Sequence, residues 1–424
     1  MAELVIKGGT LVDSVGERAV DVVVRDGVVV GTGHDLSAAT VIDAGGCVVS
    51  PGLVDIHTHL REPGREEAET IESGTRGAVL GGFTAVVAMP NTSPVIDGAA
   101  GVRDVLELGR RALCDVAVAG AITVGRLGTQ LAPMAEMAEL GVKLFTDDGT
   151  GVQDDRLMRR ALEYASGLDV TLAQHCENTA LSAGGHMNEG ALSGRLGIPG
   201  VPAEAEELMI MRDVTLSRLT GGRVHFQQVS TAGSVGIVGA AKAGGLHISA
   251  EVAPHHFSLT EQEVATYDAV FKVNPPLRTD ADVVALKAGL ADGVVDAIAT
   301  GHAPHEPHIK ELPFDEAPCG VLGLETALAL AITELDLPIA RILALLSWQP
   351  AAVAGLSSTH GGPIEAGCPA NLVVIDPTAT WVVDTKTMAS LSANCPYDGR
   401  KLTGRVRHTI VHGEALVIDG EAQR

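Results

Sequence analysis

What most restricts the folding of this chain is a repeated alternation. Between residues 51 and 334 a short apolar run is followed, eight times over, by an Ala/Leu/Glu-rich stretch of helical character. The apolar runs are "LVDIH", "FTAVVAM", "CDVAVAGAI", "VKLF", "VTLAQH", "RVHFQQV", "LHISAEV" and "VVDAIAT". Helices are predicted over 68–81, 99–112, 130–140, 153–166, 204–219, 233–243, 281–291 and 322–334. Strands that alternate with helices make a parallel sheet, and eight units in series predict a closed barrel better than an open sheet. On either side the texture differs. "LVIKGGTLV", "AVDVVVRDGVVVGTG" and "TVIDAGGCVVS", split by Gly and Asp-Gly turn signals, predict a small antiparallel sheet, and β texture returns in "PANLVVIDP", "TWVV" and "RHTIVHGEALVIDG". The expected fold class is α/β: a (β/α)8 TIM barrel over 51–362, with a small β-sandwich domain built from both chain termini, 1–50 and 363–424.

A length of 424 residues suits one barrel with an accessory layer. The net charge of -23, from 53 acidic and 30 basic residues without a Lys/Arg cluster, argues against nucleic acid and anionic membrane as partners. Six cysteines (Cys47, Cys114, Cys176, Cys319, Cys368, Cys395) lack CxxC spacing, so reduced thiols in a cytoplasmic protein are expected. The start "MAELVIKGG" has no signal-peptide pattern, and no apolar stretch reaches the roughly 18 residues of a membrane span.

In such barrels the working residues gather at the C-terminal ends of the strands. The first strand ends "DIHTHLREPG". His57 and His59, two apart, face one side of an extended strand and can reach one metal. Asp55 is open to three roles: ligand, orienter of a ligand, or buried partner. Arg61, in a Pro/Gly-constrained loop, suits a substrate carboxylate, or else pairs with Glu62. Asn91 ends strand two, as a mouth residue or a turn former. Asp147 and Asp148 end strand four in "FTDDGTG", as a bridging carboxylate or an Asp-Gly turn. His175 ends strand five in "AQHCEN". Histidines from several strands with a carboxylate between them suit zinc-type ions.

The segments "SPGLVDIHTHLREPG", "GGFTAVVAMPNTSPV", "FTDDGTGVQ", "AQHCEN", "STAGSV", "AEVAPHHFSLT", "FKVNPPLR", "ATGHAPH" and "GVLGLETAL" occur in that order along essentially the whole chain. They resemble the dihydroorotases of the monofunctional bacterial (class I) type, in the amidohydrolase superfamily. The resemblance implies a hydrolase of pyrimidine biosynthesis that interconverts N-carbamoyl-L-aspartate and dihydroorotate at a binuclear zinc centre. It implies metal binding by His57, His59, Asp148 (bridging) and His175. It further implies substrate binding by Arg61, Asn91, Asn274 and His305, with the backbone of Cys319 and Gly320 closing over the ligand. A homo-oligomer is expected.

Two positions depart from that pattern. "VHFQQVST" carries Gln228 where the family places a metal-binding histidine, and "ATGHAPH" carries Gly301 where it places the aspartate that ligates metal and shuttles the proton. Gln228 offers only an amide oxygen, and glycine offers nothing. On strand parity neither His225 nor His302 is expected to substitute. Lys143 in "KLF" resembles the carboxylated lysine that bridges the metals of hydantoinase-like relatives, although "DDG" fits the Asp-bridged type. Loss of a general acid/base costs about 10²–10⁴ in rate, roughly 3 to 5 kcal/mol of barrier. The expectation is therefore an impaired dihydroorotase with one tight zinc. The alternatives are a non-catalytic paralogue serving aspartate carbamoyltransferase as a structural partner, and a hydrolase of another cyclic amide such as a hydantoin or allantoin.

Overall fold

The structure, a computed structural model, describes residues 3–424. The barrel strands are Leu53–Thr58, Phe83–Ala88, Asp115–Val118, Leu144–Thr146, Thr171–His175, Val224–Gln227, Ile248–Val252 and Ala297–Ile298. All neighbours pair in parallel, the first three in one ladder and the last five in another. Single bridges close the ring, Gly120 to Phe145 on one side and Thr58 to His302 on the other. The fold is the α/β TIM barrel that the alternation predicts.

The outer helices begin where the sequence places capping residues. Thr70 accepts from the Ser73 N–H, Asp154 from Leu157, Thr231 from Ser234 and Thr279 from Asp282, each satisfying a backbone donor that the helix leaves free. The third helix is shorter than predicted, Met134–Ala138, because Pro133 holds Ala132 out of the helical region and Gly141 follows close behind at φ 96°. Aromatic and long aliphatic side chains such as Phe83, Phe145, Phe226 and Leu162 fill the space between strands and helices, while Ala85, Ala119, Ala173, Ala297 and Ala299 belong to a separate cluster. That second cluster includes Ala351 and Ala354, from the helix Trp348–Val353 and the residue that follows it.

The two ends of the chain meet beside the barrel. One sheet holds Val28–Gly33, Asp21–Arg25, Glu3–Lys7 and Thr40–Asp43. The other has seven strands: Thr10–Asp13, Gly16–Ala19 and Val48–Pro51 from before the barrel, and Leu372–Val382, Lys401–Val411, Glu414–Ile418 and Glu421–Ala422 from after it. Leu4, Ile6, Val22, Leu11, Val49, Leu372 and Ile410 pack between them.

The N-terminal pairing corrects the expectation of a purely antiparallel sheet. Glu3–Lys7 pairs in parallel with Thr40–Asp43, and Thr10–Asp13 pairs in parallel with Val48–Pro51. The chain steps from the first sheet into the second at Gly8–Gly9 and again at Gly45–Gly46, where Gly8 (φ 77°) and Gly46 (φ 75°) take left-handed backbone. Two passes along the same course necessarily run side by side. After Val382 the chain leaves the sheet, and Ser392 and Asn394 bond to Ala68, Ala303 and Gly320 of the barrel. No helix among the described residues is long and apolar enough to cross a membrane.

Candidate active site

Three predicted ligands converge at the barrel mouth. The ligand atoms of His57, His59 and Asp148 lie within 4.8 Å of one another, and all three residues are buried. Glu251, on the seventh strand, accepts from His57 Nδ1 at 2.6 Å. This fixes the tautomer and turns Nε2 toward Asp148 Oδ1, 3.2 Å away, where it has no aligned hydrogen-bond partner. His59 Nδ1 donates to Asn91 Oδ1 at 2.9 Å, Asn91 Nδ2 donates to Asp148 Oδ2 at 3.0 Å, and His59 Nε2 stands 3.6 Å from the same carboxylate. Burial opposes charge on His57, yet the flanking Asp148 and Glu251 carboxylates hold its pKa well above the usual range. Burial likewise opposes ionisation of Asp148, but His57 and then His59 keep it below the usual carboxylate range. An orphaned, oriented imidazole nitrogen facing an ionised carboxylate is a donor set that fits a divalent cation.

A cavity of about 280 Å³ opens over this trio. It is lined by His59, Asp148, His175 and Gln228 and by every residue expected to hold substrate: Arg61, Asn91, Asn274, His305, Cys319 and Gly320. Arg61 is buried at a left-handed φ of 62°, its Nε donating to Pro304 O at 3.1 Å and its Nη2 lying 3.3 Å from His305 Nε2. The pairing with Glu62 is not made; that carboxylate instead accepts from the Ile71 N–H at 2.8 Å. Burial, reinforced by Arg65, lowers the Arg61 pKa to about 10, so it stays a cation at neutral pH. Burial and the adjacent Arg61 bring His305 down to about 3, so its ring is neutral, with Nε2 donating to Cys319 O at 2.8 Å. Asn274 is held by Glu177 at 2.7 Å.

The two departures touch each other. Gln228 follows the sixth strand at φ 46° and reaches the cavity through that turn of the backbone, and Gly301 stands opposite at φ 59°. A Cβ at 301 would lie 2.0 Å from Gln228 Nε2 and 3.4 Å from His255 Cε1. The amide of Gln228 thus fills the room that a side chain at 301 would need.

Other candidates take structural places. Asp55 is a buried partner: Thr300 N–H and Oγ1 donate to it at 2.9 and 2.5 Å, Thr58 Oγ1 adds a third bond and the His57 N–H a fourth at 3.3 Å. Asp147 accepts from the backbone of Ile122 and Thr123 at 2.9 and 3.0 Å. His225 does not turn to the other face, as strand parity suggested. It donates from Nε2 to Glu251 at 2.9 Å, beneath His57, because Gln228 and not His225 lies off the regular strand. His302 is turned away toward Glu69, at 3.3 Å. Lys143 lines a different cavity with Asp169, Arg223 and Gly355, which removes it as a bridge. His175 lies on the cavity wall but outside the trio, its Nε2 3.2 Å from Asn274 O and its Nδ1 buried without a partner. Sequence reasoning missed Glu251, Arg65 and His255, although "REPGREE" carried the second arginine as openly as the first.

A family profile described as dihydro-orotase-like matches residues 46–234. The chain is 47% identical to the dihydroorotase of Pelotomaculum thermopropionicum, over 98% of this chain and 99% of that protein. It is 49% identical to the dihydroorotase of Leifsonia xyli subsp. xyli (98% and 96%) and 47% identical to that of Mycobacterium tuberculosis (96% and 96%). Among solved structures it resembles the L-hydantoinase (dihydropyrimidinase) of Arthrobacter aurescens, with a TM-score of 0.89 at 25% identity over 100% of this chain and 98% of that one. It also shares its fold with a D-hydantoinase, at a TM-score of 0.87 and 22% identity over 99% of this chain and 96% of the other.

Proposed function

This chain belongs to the dihydroorotase family, and from that premise we propose that its cavity takes dihydroorotate and N-carbamoyl-L-aspartate, the two sides of a reversible cyclic-amide hydrolysis, while its own chemistry lacks a proton carrier. One observation carries the reading: a single cavity joins His59 and Asp148, two members of the trio completed by His57, to a buried arginine with no carboxylate pairing it among the described residues. Arg61, with Arg65 beside it, meets the ligand carboxylate. Asn91, Asn274 and the neutral His305 supply directional hydrogen bonds, and the backbone at Cys319 and Gly320 closes the far side. A zinc ion held by His57, His59 and Asp148 supplies Lewis acidity toward a carbonyl or a water. His57, His59 and Asp148 would hold one such ion tightly, whereas a second would find only His175 and the Gln228 amide as further donors on the cavity wall.

Gly301 can neither hold nor move a proton, and the one carboxylate that lines the cavity among the described residues, Asp148, belongs to the metal-binding trio. Turnover is therefore slower by about 10²–10⁴ than with that group present. The same two departures favour, as a second reading, a non-catalytic role beside aspartate carbamoyltransferase. Two arginines on the cavity wall favour a carboxylated pyrimidine precursor over a plain hydantoin or allantoin. A cytoplasmic homo-oligomer suits this reading.

Repair is the test. Gly301→Asp alone must push the Gln228 amide aside, and Gln228→His alone restores a ligand without a proton carrier. The zinc-loaded double variant should therefore hydrolyse dihydroorotate faster than the product of the two single gains, since touching residues do not act additively. If the unaltered chain matches the double variant, another residue carries the proton and the impaired-enzyme reading is wrong. A silent double variant that co-purifies with a carbamoyltransferase hands the case to the partner reading.

A further inference from the structure

The outer wall of the cavity is backbone from two distant segments. Val273 and Asn274 contribute one part, and Cys319, Gly320 and Val321 the other. They are joined directly by the Gly320 N–H, which donates to Lys272 O at 2.9 Å. Behind this joint lies Lys310, at the end of the short helix Pro307–Lys310, with only 9% of its surface exposed. Its Nζ donates to Pro318 O at 3.0 Å, to Gly320 O at 3.1 Å and to Lys272 O at 3.4 Å. An ammonium has three N–H donors and here has three carbonyl acceptors, which is what a buried cation requires. Among the described residues no carboxylate forms an ion pair with it; the charged or titratable groups that bear on it are Cys319, Lys272 and Asp268, with His305, whose ring is neutral, on the cavity side. Lys272 directs its own ammonium elsewhere, to Asp315 O at 3.0 Å. From the opposite side Asn394 donates to Ala303 O and Gly320 O, both at 3.0 Å, and accepts from the His305 N–H at 3.1 Å.

Three carbonyl oxygens drawn to one point repel one another unless a cation sits between them. A hydrocarbon of the same length would fill the space without gathering them. We propose that Lys310 is a positioning residue of the cavity: its ammonium clasps the Lys272 and Pro318–Gly320 backbones together and so fixes the separation of Asn274 from Cys319 and Gly320. Burial lowers the Lys310 pKa to about 8, with Cys319 and Asp268 opposing the shift and Lys272 adding to it. The clasp is thus closed at neutral pH and released in mildly alkaline solution, where the neutral amine has lost both the charge and one donor.

Hydrogen exchange on the full-length protein, corrected for intrinsic rates, tests this at pH 7 and pH 9.5. The amides of Ala303 and Gly320, bonded to Val321 O and Lys272 O, should lose protection by about tenfold between the two, the scale of one charge-assisted hydrogen bond. Amides of the strand Thr171–His175 should not change. Lys310→Met should be loose at both pH values and no longer respond, whereas Cys319→Ser and Lys272→Met, which remove the neighbouring thiol and the neighbouring ammonium, should each keep the response. Equal protection at both pH values in the unaltered protein overturns the proposal, even if Lys310→Met fails to fold; so does an unchanged pH response in Lys310→Met. The affinity for dihydroorotate should fall in step with protection. This last arm rests on the proposed function: if dihydroorotate binds at no pH while the amides behave as stated, that reading fails and the clasp stands.

Discussion

Arg61 is fastened along one edge of its guanidinium by Pro304 O, which leaves the other edge toward the cavity beside His305. Its left-handed backbone is uncommon for a non-glycine residue and is held by the loop around it. Arg61→Met keeps the bulk and removes the charge, so the affinity for dihydroorotate should fall by about 1.5–3 kcal/mol, the worth of a hydrogen bond to a charged group. Calorimetry that finds equal affinity removes Arg61 from the ligand. Glu251 acts one step further back. It accepts from both His57 and His225 within the barrel, and Glu251→Gln should lower zinc affinity by about 10–100-fold in competition with a chelator. An unchanged affinity would mean that His57 needs no orienter. Arg61 and the His57/His59 pair are legible because they lie together in one short segment. Glu251 is not, since nothing in the short strand "ISAEV" marks it as part of a site, and only the closure of the ring brings it under His57.

Among the elements, two joins of the barrel rest on single bridges, and one of them lies between its last strand and its first. The eighth strand is only Ala297–Ile298, and a single bridge and the carboxylate of Asp55 carry the connection to the first. Burial raises the Asp55 pKa against the pull of the Thr300 and Thr58 hydroxyls. Asp55→Ala leaves the Thr300 N–H and two hydroxyls without their acceptor and should destabilise the fold by about 2–4 kcal/mol, read from the denaturant midpoint. A loss under about 0.5 kcal/mol would assign the seam to the bridge alone. The strand and helix alternation was readable because each element repeats a simple apolar period. Where the chain leaves that period it was not: parity places Gln228 on a strand that in fact ends at Gln227, and the parallel N-terminal pairings depend on sheet crossings that local turn signals do not encode. The contact between Gln228 and Gly301 joins residues distant in sequence and has no local signature at all.

The molecule as a whole carries a net charge of -23, and like charges on a compact surface repel. Raising NaCl from 10 to 200 mM should raise the melting temperature by roughly a few degrees as the Debye length shortens; a fall would show that attractive pairs dominate. Chelating a divalent metal bound at His57, His59 and Asp148 should lower the melting temperature, without unfolding the barrel at 25 °C, because the large apolar core between strands and helices makes no use of a metal. Loss of secondary structure on chelation would refute that. The seven-stranded sheet has a consequence for the order of assembly. Val48–Pro51 lies between Thr10–Asp13 and Leu372–Val382, so a ribosome has made three of the seven strands of this sheet long before the other four exist. For some tens of seconds of synthesis, at about 5–20 residues per second, Val48–Pro51 offers an open edge to whatever strand comes near. The barrel emerges during that interval, and Leu372–Val382 closes the open edge only once the barrel is made.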